Sequence, residues 1–175
     1  MVCLTRRWLG LIMGAGALQG CGLHPVYAPT EAAAAGAAER GLAETEVALI
    51  PERNGQLLRE ALRARFERGQ SGTARRYDLL VSLGLSGEAI AIQRDNTTSR
   101  VRLVGTASWT LFAQSPQRSA LASGFAREVD AYNILNQQFF SADLESESVQ
   151  RRMMDGLAEK VTLQLATWFR RNAAG

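Results

Sequence analysis

The chain has 175 residues, 46% of them apolar and 21% charged, which suits one folded domain with a real core and excludes a disordered or fibrous chain. Its 20 basic residues outnumber 17 acidic ones for a net charge of +3, and 19 of the 20 are arginines, Lys160 being the one lysine. A single histidine, His24, and two cysteines, Cys3 and Cys21, argue against an ordinary zinc site and against a classical hydrolase.

Residues 1–20 read as a bacterial secretory signal. Arg6 and Arg7 form its positive start, and residues 8–18 give an apolar stretch of 11 residues. That is well short of the ~20 needed to span a bilayer. The stretch ends in Leu18-Gln19-Gly20-Cys21. This matches the Leu-x-small-Cys pattern of a lipobox, where the cysteine is acylated and becomes the new N-terminus, although Gln19 stands where a small residue is usual. Paired arginines are common in such signals, so the general secretory route is expected over twin-arginine export. Gly22 follows the cysteine in place of the Asp of an inner-membrane retention signal, which points to the outer membrane. Acyl chains on Cys21 would hold firmly, at about 0.8 kcal/mol per buried CH₂.

Cleavage changes the charge. Without Arg6 and Arg7, 18 basic residues face 17 acidic ones, a mature net charge of +1. That is too little for a nucleic-acid or polyanionic glycan binder, which needs a concentrated basic surface. Cys3 is also lost, which leaves Cys21 alone and no intramolecular disulfide.

Residues 21–45 read as a lipidated tether and Ala-rich linker with at most a fraying helical turn or two, because the Ala32–Ala38 run offers no large side chains to bury. The domain is expected from residue 46 to 171, with a short tail at 172–175. Val47-Ala48-Leu49-Ile50, stopped by Pro51, reads as a first strand. Asn54 can cap the next helix and Gly69 can end it, with Leu58, Leu62 and Phe66 every four residues on its apolar face. From Tyr77 to Leu85 the apolar residues fall on odd positions, then shift to Ile90 and Ile92, which predicts a bulge near Ser86-Gly87. Val101, Leu103, Ala107, Trp109 and Leu111 alternate in a third strand, and residues 121–132 give a fourth with Phe125 and Val129 inward. Ser141 opens a long helix in which Val149, Met153, Leu157, Val161, Leu165 and Phe169 step by four. The order β-α-β-β-β-α predicts an α+β two-layer sandwich, a four-stranded sheet covered by two helices.

Gly20-Cys21-Gly22-Leu23-His24-Pro25-Val26-Tyr27, Asn54-Gly55-Gln56-Leu57-Leu58-Arg59-Glu60-Ala61-Leu62, Tyr77-Asp78-Leu79 and Ile90-Ala91-Ile92-Gln93-Arg94-Asp95 together resemble the LptE family in its alphaproteobacterial branch. The resemblance implies an outer-membrane lipoprotein with no enzymatic activity and no cofactor. It would act as plug and assembly partner of the LptD β-barrel and bind lipopolysaccharide. The alternative is a generic outer-membrane lipoprotein that binds another envelope protein, such as a secretion-pore pilot.

Lipopolysaccharide carries phosphates beside acyl chains, so guanidinium groups near apolar contacts suit it. Arg94, Arg100 and Arg102 fall around the second hairpin and Arg118 at the next turn, which makes these four the candidate contacts. Arg94 stands where the family has a basic loop residue implied in that contact. Tyr132, Phe139 and Phe140 are candidates for the partner interface, since adjacent phenylalanines cannot easily enter one core together. Trp109 is expected in the core.

Overall fold

One mixed sheet is overlaid by helices on a single face. The computed structural model describes residues 36–67, 74–92, 98–114, 117–133 and 139–173, with the side chains of residues 92, 98, 139–143 and 173 outside that description. Its elements are α1 (Ala37–Ala43), β1 (Thr45–Val47), α2 (Arg53–Phe66), β2 (Tyr77–Ile92), β3 (Thr98–Ala113), β4 (Ala120–Asn133) and α3 (Phe139–Ala173). The strands lie in the order β1-β2-β3-β4, with β1 parallel to β2 and the remaining pairs antiparallel. This is the expected α+β sandwich with one helix added.

Period-two alternation places Leu79, Val81 and Leu83 of β2 directly opposite Leu111, Trp109 and Ala107 of β3. Onto them α3 lays Met153, Leu157, Val161, Leu165 and Phe169, and α2 adds Leu58, Leu62 and Phe66, all buried. Each such large side chain contributes about 1.5–3 kcal/mol by leaving water.

The expected linker is partly built into this core. α1 buries Ala38, Leu42 and Ala43, and Thr45 Oγ1 donates to the Gly41 carbonyl at 2.7 Å. Alanine suffices there because the Phe169 ring lies against Gly41 and supplies the bulk. The first strand sits two residues earlier than expected, and Ile50 is buried after it. Asn54 does not cap α2. The helix opens at Arg53, two residues earlier, behind Glu52, a non-glycine residue at φ 68°, and Asn54 Oδ1 is buried without a hydrogen-bond partner among the described residues. Gly69, the expected end of α2, lies outside the described residues.

Two further expectations change in the sheet. Ser86 and Gly87 pair in register with Val104 and Leu103, and the irregularity falls instead between Ala89 and Ile92. In β4, Phe125 and Val129 face away from the helices and are 54% and 43% exposed, while Ala126 is buried and Ala122 packs against the core. The cause is the closeness of α3 and of Trp109. A Cβ added to Gly105 would meet Met153 Sδ at 2.6 Å, and one added to Gly124 would meet the Trp109 ring at 2.5 Å. From Ala122 to Ala126 only small side chains fit on that side of β4, so Phe125 points outward.

Charges clasp α2 to α3. Arg151 bonds Glu147 at 2.9 Å and Arg53 bonds the same carboxylate, while Arg65 reaches Asp155 at 3.5 Å. The hydrogen bonds from Arg151 and then Arg53 hold the Glu147 carboxyl below its usual value. A depressed carboxylate contributes its stabilisation fully above the unfolded pKa and loses it as pH falls through the folded pKa. The small deficit in urea midpoint expected of Glu147→Gln at pH 7 should therefore shrink as pH drops below the ordinary carboxylate range. A pH-independent deficit would mean that the clasp acts by packing instead.

Candidate functional site

The far half of the β2–β3 hairpin extends beyond the helical cover. Residues 84–90 of β2 are exposed on both faces of the sheet, including the apolar Leu85 and Ile90. On β3 the odd residues from Leu103 to Leu111 face the helices, so Arg100 and Arg102 share the opposite, open face, neighbours about 7 Å apart along the strand. Arg102 lies directly across from Glu88 and forms an ion pair with it. Arg100 lies across from Ala91 on one side and Asn133 on the other, is exposed, and has no ion pair to any described residue. The next row inward on the same face is aliphatic, Val104 opposite Val129.

Two guanidinium groups beside exposed aliphatic side chains can bind a phosphate and the start of an acyl chain together. Among the described residues no group of three His, Cys, Asp or Glu side chains is placed to hold a metal ion.

The four candidate arginines do not form one cluster. Arg118 reaches Asp78 Oδ2 at 3.9 Å and lies over the Phe112 ring, 4.9 Å from its centroid. Phe112 is twelve residues along β3 from Arg100, about 40 Å away at the far end of the sheet. Arg94, between β2 and β3 in the sequence, lies outside the described residues, as does Cys21. Tyr132 pairs with Val101 and is half-buried on the helix-facing side of β4. Phe139 and Phe140 open α3, and their side chains lie outside the description. Trp109 is buried as expected, its Nε1 donating to Gln164 Oε1 at 2.7 Å.

The most exposed large aromatic side chain on the open face is Phe125, set in the middle of the sheet opposite Ser108. Around it the same face carries Ser82, Thr106, Thr110 and Ser123 with Leu80. The small residues Ala122, Gly124 and Ala126 are the sequence signal that could have placed Phe125 there, since they mark the close-packed side of the strand.

The family model described as "Lipopolysaccharide-assembly", LptE, matches residues 42–165 of the chain. The chain belongs to the LptE family. Its match begins inside α1 and ends in the last third of α3, so it takes in the whole sheet, α2 and most of α3. Among solved structures, a lipoprotein from Caulobacter crescentus CB15 superimposes with a TM-score of 0.59 at 25% identity, covering 75% of this chain and 95% of that one. Rare lipoprotein B from Shewanella oneidensis gives 0.53 at 13% identity over 75% and 97% of the two chains. Lipoprotein B from Nitrosomonas europaea gives 0.52 at 11% identity over 71% and 81%, and these last two matches show a shared fold. No curated protein matches the sequence.

Proposed function

We propose that this LptE-family lipoprotein is held at the outer membrane by lipid on Cys21, serves as plug and assembly partner of an LptD-type β-barrel, and binds lipopolysaccharide at the far end of its β2–β3 hairpin. It carries out no chemical reaction. The observation that carries the reading is Arg100 and Arg102 standing side by side on an uncovered sheet end next to Val104 and Val129, in a chain of a lipopolysaccharide-assembly family. Arg94, which falls between β2 and β3 in the sequence, is a candidate third cation. The hydroxyl-rich open face around Phe125 suits contact with a polar barrel lumen, where wet interfaces favour aromatic anchors among small polar groups.

The test is capture of the affinity-tagged full-length protein from detergent-extracted envelopes. An LptD-type barrel should co-purify with the wild type, and Cys21→Ser should leave an uncleaved or soluble precursor with little barrel attached. Wild-type protein recovered without the barrel would end the assembly reading, and unchanged lipid labelling of Cys21→Ser would end the anchor.

A further inference from the structure

Any open sheet has two edges, each a row of backbone groups ready to pair with another strand. In this fold side chains take up carbonyls on the β4 edge and on the short β1 edge, while β2 beyond Leu79 has no strand outside it among the described residues. At the β4 edge, Lys160 Nζ donates to the Arg127 carbonyl at 2.7 Å and Gln164 Nε2 donates to the Phe125 carbonyl at 3.0 Å. Phe125 and Arg127 are alternate residues of the strand, so both carbonyls point away from β3 and are the ones a fifth strand would use. At the β1 edge, Arg75 Nη1 donates to the Thr45 carbonyl at 3.3 Å and Arg59 Nε to that of Val47 at 3.1 Å, again alternate residues.

The β4 side is built from one stripe of α3. Arg152, Gly156, Lys160 and Gln164 recur every four residues and therefore share one helix face. Arg152 bonds Asp130 at 3.0 Å, the Glu128 carboxylate fits against Gly156, and Lys160 also pairs with Glu128 at 2.7 Å. Gln164 is fixed in turn, because its Oε1 accepts from the Trp109 indole. A mobile surface glutamine would shield a carbonyl only part of the time, whereas this one is tied to a buried ring.

We infer that Lys160 and Gln164 form a clamp that closes the β4 edge to strand addition. The long, part-apolar β4 would otherwise be a template for a second copy of this chain. With the middle of β4 shut in this way, the protein offers partners its open face and its far hairpin. This inference stands on the fold and holds whether or not the lipopolysaccharide reading does.

The experiment compares full-length wild type with K160M/Q164L in dodecyl maltoside micelles by sedimentation. The wild type should remain monomeric, and the double variant should dimerise with at least tenfold tighter self-association. Adding Ser123→Pro, which removes an outward N–H of β4 without touching the pairing to β3, should restore the monomer. K160M alone, which spares the bond between Trp109 and Gln164, should show a weaker form of the same dimer if the double variant does not fold. A folded K160M/Q164L or K160M that stays monomeric overturns the clamp. So does a dimer indifferent to Ser123→Pro, because its association would use another surface.

Discussion

Gly124→Val is expected to cost the fold about 3 kcal/mol, seen as a lower urea midpoint at an unchanged denaturant slope. A Cβ at this position would lie 2.5 Å from Trp109 Cζ2 and 2.8 Å from its Nε1. The ring is held where it is, being 4% exposed and tied through Nε1 to Gln164. Overpacking a filled site costs roughly 1–3 kcal/mol. Pulling the indole N–H off its acceptor adds about 1 kcal/mol. Valine's better strand propensity returns at most about 1 kcal/mol and cannot offset both. Ser123→Val, one residue away on the open face, meets no such neighbour and should stay within about 0.5 kcal/mol of wild type. Equal midpoints for Gly124→Val and wild type would show that Trp109 can leave its site freely.

Where a buried side chain is large, its element could be read directly. The four-residue step from Met153 to Phe169 announced α3, and the alternation from Leu79 to Leu83 announced β2, because these positions bury bulk. β4 failed for the converse reason. Its helix-facing side holds Ala122, Gly124 and Ala126 and then Glu128 and Asp130, which are neutralised by Lys160 and Arg152, so the large apolar residues mark the wrong face. α1 was hidden similarly, since its alanines and Leu42 rely on Phe169, more than a hundred residues later, to complete the packing. The arginines posed a different problem. Sequence places Arg100, Arg102 and Arg118 near turns alike, and only the register shows that Arg118 stands at the opposite end of β3.

That separation gives the proposed lipopolysaccharide contact its sharpest prediction. R100D/R102D should weaken binding of purified lipopolysaccharide to the full-length protein by about 100-fold or more, while R118D should leave it within about threefold of wild type. A charge-assisted hydrogen bond is worth about 1.5–3 kcal/mol, so losing two removes at least about 3 kcal/mol, or two powers of ten. The ion pair of Arg102 with Glu88 does not compete seriously. Its side chains are 45% and 62% exposed, which limits such a pair to about 0–1 kcal/mol, less than one phosphate contact returns. Both arginines lie outside the core, so the variant should unfold at nearly the wild-type midpoint and the loss can be read as binding. Raising ionic strength should weaken the wild type more than R100D/R102D, because the salt-sensitive part of the affinity resides in these two cations. If R118D lost as much as the double variant, the contact would follow the protein's overall charge, and the far hairpin would have no special claim to it. If neither variant lost affinity, the phosphates would be held away from β3 altogether.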